Sequence, residues 1–240
     1  YLNLMTHQRE VILTASTAPG AAWCAGNIDP EFGDVHFDPT GMIDSAALRR
    51  PWMELIRDPS LTQRNDAIKG HWSNYLRGAA LRAWYERPDL PPQGLSLTVG
   101  SDLPRGAALS SSHALCIVAL LAAFAERGIS LSKDALILAV RDAEWFTGAR
   151  TGTSDQAAEI LGGRGEIVNV ALLAEDFDSP GARRLPLPDN IHVLVINSHT
   201  RRNLSGAQLA DFTRNRFADS MALEILRQTL SKAGWKPEKL

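Results

Sequence analysis

The sequence has only two cysteines, Cys24 and Cys116, and Cys116 lies inside an apolar run. Two thiols so placed argue against a disulfide-stapled scaffold and fit a reducing compartment, with Cys116 behaving as a small buried hydrophobe. Charge of one sign is lacking too: 25 Lys and Arg face 27 Asp and Glu, a net charge of −2. That balance gives no reason to expect nucleic acid or an anionic membrane as a partner. No apolar run reaches the roughly 20 residues a membrane-spanning helix needs. The longest, residues 114–125, reads as a buried helix. The opening YLNLMTHQRE has neither the basic-then-apolar pattern of a signal peptide nor an initiator methionine. The expected location is cytoplasmic, and the chain is expected to be incomplete.

What is present suits a folded domain: 240 residues, 45% hydrophobic and 22% charged, enough for one large core or two small ones. Residues 9–16 form a β-branched run followed by the turn signal Pro19-Gly20. Residues 24–48, rich in Gly, Asp, Pro and Asn, read as strands and loops. Apolar residues at three- and four-residue spacings predict amphipathic helices over 45–58 and 67–88. Residues 94–103 alternate Leu95, Leu97 and Val99 with polar residues, as a half-buried strand would. A helix over 132–146 starts at Ser132, a suitable N-cap, with Asp134 in its first turn. A Gly/Thr loop, a short helix and a strand follow, then an apolar segment at 190–200 that reads as a strand. One long amphipathic helix, or a pair, ends the chain. Strands that come first and then alternate with helices predict an α+β fold on a mixed or antiparallel sheet.

The most informative stretch is VGSDLPRGAALSSSHALCIVALLAAF, residues 99–124. A strand, a loop of small residues and a helix start make a phosphate site, because the first backbone N–H groups of a helix lack internal partners and carry partial positive charge. Small side chains at Gly106, Ala107 and Ala108 allow close approach of an anion. Ser110, Ser111 and Ser112 could cap the helix, donate to phosphate oxygens, or ligate magnesium, which prefers hard oxygen donors. A polar loop with an N-cap explains the serines equally well. The loop lacks the lysine of a Walker motif.

Residues Pro104 to Ala114 resemble the second motif of the GHMP (galacto-, homoserine, mevalonate and phosphomevalonate) kinase superfamily, approximately Pro-x-x-x-Gly-Leu-x-Ser-Ser-Ala, in its triple-serine, galactokinase-like form. Ala108 stands where that motif has Gly, and His113 where it has Ala. Three further segments agree in order. Trp72, Asn74, Tyr75 and Gly78 resemble a galactokinase Trp-x-Asn-Tyr-x-x-Gly segment, read mainly as a packing helix. Glu144, Gly148, Gly152, Asp155 and Gln156 resemble the stretch in which a glutamate precedes Gly-x-x-Asp-Gln. Ser198, Phe212 and Arg216 sit where galactokinases read Asp-Ser and then Tyr-x-x-Arg-Arg, with Phe212 replacing a tyrosine.

The resemblance implies a two-lobed GHMP-kinase-like fold, with residues 1–170 as a nucleotide-binding lobe (ribosomal S5 domain 2-like) and 171–240 as the beginning of a second lobe. The N-terminal sugar-gripping cluster and the C-terminal Gly-rich loop of that family are not found, so the chain is expected to be incomplete at both ends and poorly active by itself. The implied activity is transfer of the γ-phosphoryl of ATP to a monosaccharide hydroxyl, the anomeric one. In that role Arg105, Gly106, Ala107, Ala108, Leu109, Ser110, Ser111 and Ser112 hold phosphates. Ser111, Ser112 and Glu144 hold Mg2+, Asp155 accepts the hydroxyl proton, and Asp155 and Phe212 meet the sugar. No lysine or histidine of this constellation is expected to be the base. Read alone, Glu144 is a solvated helix carboxylate and Asp155 an N-cap. Arg183, Arg184, Arg201 and Arg202 are a solvated cluster or a contact for an acidic sugar. The alternatives are a non-catalytic sugar and nucleotide sensor on the same fold, or a kinase for a phosphorylated heptose or a uronic acid.

Overall fold

The computed structural model describes residues 2–3, 9–104, 109–170, 182–196 and 208–232. The first element, β1 (Leu2–Asn3), is followed by the strands β2 (Val11–Ala18), β3 (Trp23–Asn27) and β4 (Val35–Phe37). Two 3-10 turns, Pro39–Gly41 and Ser45–Arg49, lead to the helices α1 (Trp52–Leu55), α2 (Pro59–Ala67) and α3 (Ser73–Glu86). Then come β5 (Gly94–Ser101), α4 (Ser111–Glu126), α5 (Lys133–Trp145) and α6 (Ser154–Leu161). The strands β6 (Glu166–Asn169) and β7 (Arg183–Pro186) and the helix α7 (Gln208–Lys232) complete the described chain.

The larger sheet has the order β2-β5-β3-β4 and is mixed: β5 is antiparallel to β2 but parallel to β3. Its inner face follows from the period of two in β5, where Leu95, Leu97 and Val99 are buried while Ser96 and Thr98 face outward. Trp23 and Ala25 of β3 bury beside them, and the Trp23 indole donates to the Gln93 carbonyl at 3.1 Å. α3 and α4 lie against this face, and α5 packs on both helices. α4 is apolar almost all round, so Leu115, Cys116, Ala119, Leu120, Ala123 and Phe124 are all buried. Cys116 thus behaves as expected, and Cys24 is exposed. α5 starts as its sequence indicates, with the Ser132 hydroxyl accepting from the N–H of Ala135 at 3.2 Å.

α3 and α5 approach closely at Gly78, where an added Cβ would sit on the carbonyl oxygen of Ala143, with Phe146 Cβ 3.1 Å away. A smaller sheet, β1-β6-β7, is antiparallel and joins α5 and α6 through a second core of Ile137, Ala157, Leu161, Val168 and Val170. Among the described residues, no helix is long and apolar enough to cross a membrane.

Three expectations change. The helix expected over 45–58 is instead a 3-10 turn and then α1. Pro51 separates them, since proline lacks a donor and forces the residue before it out of helical geometry. The helix expected over 67–88 starts only at Ser73, because Gly70 takes φ +80° in the turn after α2. Residues 191–196 of the expected strand pair with no strand among the described residues, and Val193, Leu194 and Ile196 are exposed. Their apolar pattern has no sheet to enter among the described residues.

Candidate active site

Three helix ends meet at one place. The head of α4 supplies Ser112 and His113, the last turn of α5 supplies Glu144, and the first turn of α6 supplies Asp155. Ser110 occupies the N-cap position of α4, yet its side chain makes no capping bond. Its backbone is left-handed, φ 58° and ψ 25°, the one non-glycine with positive φ among the described residues. That conformation costs an L-residue about 1–2 kcal/mol. A serine that only capped the helix would have extended backbone and an accepting hydroxyl, so the simple N-cap reading does not describe Ser110.

Glu144 is the hub. It is 2% exposed, and both of its carboxylate oxygens are engaged. Oε1 accepts from the Ser112 hydroxyl at 3.0 Å, and Oε2 accepts from the Thr151 hydroxyl at 2.5 Å. Nε2 of His113 lies 2.8 Å from the same Oε2 and 3.4 Å from Asp155 Oδ2. The ring nitrogen is not well directed at either oxygen, although its approach to Oε2 is within hydrogen-bond distance. Burial pushes the His113 pKa down, but Glu144, Asp155 and Glu159 outweigh it and hold it above the ordinary value. Burial pushes Glu144 up, and the contacts with His113, Thr151 and Ser112 bring it below its ordinary value. Both shifts run toward the charged pair, imidazolium with carboxylate. Burial and the Glu144 charge keep the nearby Tyr75 phenol neutral by raising its pKa, against a hydrogen bond with Ser112.

Asp155 differs from Glu144 in access: its side chain is 48% exposed. It is also not the N-cap of α6, which is Thr153. Glu159, one turn further along α6, has a buried Oε2 without a partner among the described residues. Burial pushes its carboxyl up to about 8, with His113 opposing and Asp155 and Glu144 adding to the rise. A folded-state value raised above the ordinary 4.5 gives stability that is complete below that value and is lost as pH rises through about 8. Glu159→Gln removes this loss. Its thermal midpoint is expected to exceed that of the natural chain above about pH 8 by the equivalent of about 2 kcal/mol, after discounting for partial exposure, and to match it near pH 4. Parallel melting curves across the pH series would refute this origin of the shift.

Beside the head of α4 lies a cavity of about 200 Å3, lined among others by Asn27, Phe32, Trp72, Tyr75, Ser111 and Ser112. The Phe32 and Trp72 rings are 6.2 Å apart and edge-on. Trp72 and Tyr75 thus line a cavity as well as packing α3, and Gly78 serves the α3–α5 contact alone.

The structure brings Ser112, Glu144 and Asp155 together, with Ser111 beside them on the cavity wall. Leu109 lies half-buried at the end of the loop. Arg105, Gly106, Ala107, Ala108, Ser198, Arg201 and Arg202 lie outside the described residues. So do the side chains of Phe212 and Arg216, although α7 includes their backbone. Arg183 and Arg184 are exposed on β7, where Arg184 pairs with Glu166 at 3.5 Å.

His113 corrects the sequence reading. It is not merely a replaced alanine outside the constellation but its central group, 4% exposed. The available signal was a histidine one residue after the serines, at the head of an otherwise apolar helix. Glu159 could have been found as the residue one helical turn from Asp155.

Magnesium at Ser111, Ser112 and Glu144 can be tested against this geometry. The donor types suit a hard cation, but both oxygens of Glu144 are engaged by protein groups, and Oε2 carries the His113 ring at 2.8 Å as well as the Thr151 hydroxyl. The Glu144 set as it stands does not fit magnesium.

Comparison with known proteins agrees with the geometry. Residues 74–163 match the GHMP kinases N terminal domain, a span that includes Ser112, His113, Glu144 and Asp155. A solved galactokinase of Lactococcus lactis, complexed with galactose, shares the fold with a TM-score of 0.60 at 17% identity, over 88% of this chain and 48% of that one. A D-glycero-D-manno-heptose 1-phosphate kinase from Bacteriodes thetaiotaomicron superposes with a TM-score of 0.51 at 16% identity, over 74% of this chain and 48% of that one. The chain belongs to the GHMP kinase superfamily. Within it the chain is galactokinase-like: it is 35% identical to the galactokinase of Chloroflexus aggregans over 179 residues, which are 74% of this chain and 41% of that protein. The galactokinase of Schizosaccharomyces pombe is 25% identical over 90% of this chain and 41% of its own length. The chain spans about two fifths of the length of these curated relatives.

Proposed function

We propose that the protein containing this chain is an ATP-dependent sugar kinase that transfers the γ-phosphoryl of ATP to a monosaccharide hydroxyl, the anomeric one. The observation that carries the reading is the half-exposed carboxylate of Asp155 set against the serine-rich head of α4. In this reading the N–H groups and hydroxyls at the head of α4, with the loop 105–110, bind the β- and γ-phosphates. The nucleotide base enters the aromatic-lined cavity beside Trp72 and Phe32. Asp155 accepts the proton of the sugar hydroxyl as its oxygen bonds to the γ-phosphorus. The bond from that phosphorus to the β-phosphate bridging oxygen breaks, and ADP leaves. Positioning and charge stabilisation, which dominate phosphoryl transfer, come from rigid helix ends. Residues 1–170 form the nucleotide-binding lobe in this proposal and 171–240 open the second, with β7 paired to β6 across that point. The site is read as cytoplasmic, with sugar and ATP as small-molecule partners. Two named relatives, a galactokinase and a heptose 1-phosphate kinase, support a sugar as acceptor.

The test is ADP release by the complete protein against a panel of hexoses, uronic acids and phosphorylated heptoses. Release that depends on one sugar is expected. Binding of sugar and nucleotide with no sugar-dependent release would replace the kinase with a sensor.

A further inference from the structure

We propose that Glu144 binds His113 in place of a metal ion, and that His113 thereby positions the carboxylate of Asp155. Three protein groups converge on Glu144, namely the hydroxyls of Ser112 and Thr151 and the imidazole of His113. A magnesium ion demands near-octahedral oxygen contacts much shorter than a hydrogen bond. It could reach Oε2 only by displacing Thr151 or His113. His113 is 4% exposed, and its Nδ1 lies 3.4 Å from the Ser112 hydroxyl, so the ring has no solvent-facing alternative to turn into.

The second half of the inference follows from the same ring. Nε2 lies within 4 Å of carboxylates on two different helices, Glu144 on α5 and Asp155 on α6. Glu144 is buried and fixed, whereas Asp155 is half-exposed and would otherwise adopt several rotamers. A ring anchored on the first carboxylate restricts the second. Any divalent cation that accompanies the nucleotide must then be held by atoms other than Glu144.

This inference uses the kinase reading only for the role of Asp155, so its first test is made without turnover. Mn2+ binding to the complete protein, followed by electron paramagnetic resonance without nucleotide, compares the natural protein with Glu144→Gln, His113→Ala and the double variant. The natural protein and Glu144→Gln are expected to bind Mn2+ equally weakly. His113→Ala is expected to bind on the order of tenfold more tightly or better, and the double variant to lose that gain. Mn2+ binding by the natural protein that Glu144→Gln abolishes would overturn the proposal, as would a folded His113→Ala that gains nothing. A second measurement needs no variant: the 15N signals of the His113 ring should stay in place as Mg2+ is added, and a shift would overturn the proposal. For positioning, His113→Ala should lower kcat on the order of tenfold or more with little change in the nucleotide KM. An unchanged kcat in an active enzyme would overturn that half. Absence of all kinase activity would instead remove the functional reading and leave the metal result standing.

Discussion

Replacing Asp155 with Asn in the complete protein is expected to lower turnover by about 10²–10⁴-fold, the usual contribution of a positioned general base, while nucleotide affinity changes little. Asn keeps the size of the side chain but cannot accept a proton. Asp155 is suited to the proton-accepting role by contrast with its neighbours. Glu144 is buried and bonded at both oxygens, and Glu159, with its carboxyl pushed up to about 8, is mostly protonated at neutral pH. Asp155 alone of the three combines exposure with the His113 ring at 3.4 Å. Steady-state turnover together with calorimetric nucleotide binding separates the two effects. Near-normal turnover would remove Asp155 from the chemistry.

Gly78→Ala is expected to destabilise the chain by about 3 kcal/mol, read as a lower denaturant midpoint at unchanged slope. In a free helix the same change would stabilise by about 1 kcal/mol, since glycine is the poorer helix former. Here the new methyl group meets the Ala143 carbonyl, which belongs to α5 and is held by its own helix. The neighbour is backbone, so no side-chain rotation relieves the clash and α3 and α5 must separate. That separation also disturbs the tail of α5, where Glu144 lies. Equal or greater stability of the variant would show that the two helices can part cheaply.

These residues also show how far the sequence could be read. Gly78, Glu144 and Asp155 were marked by resemblance to galactokinase segments, and the serine loop by its small residues and helix start as well. Local physics also sufficed for β5, with its alternation of Leu95, Leu97 and Val99, and for the start of α5 at Ser132. It failed where apolar spacing runs through a break. Pro51 and Gly70 interrupt stretches whose periodicity continues on either side, so the helices begin later than their pattern does. Residues 191–196 have a strand-like pattern, but pairing needs a partner edge that no local pattern can supply. His113 was missed for a different reason. Its meaning lies in contacts with Glu144 and Asp155, far along the chain, and a motif comparison registers it only as an alanine that is not there.

The apolar girth of α4 bears on how the chemistry could be disturbed. Ser112 and His113 are carried by the same rod as Leu120 and Phe124, which are clamped by the sheet and by α3. A shift of that rod along its axis changes the reach to Glu144 on one helix and to Asp155 on another at the same moment. Mechanically the site is a lever with its fulcrum in the hydrophobic core. Substitutions two or three turns down the helix would therefore register at the phosphate end as lost alignment before they registered as lost structure.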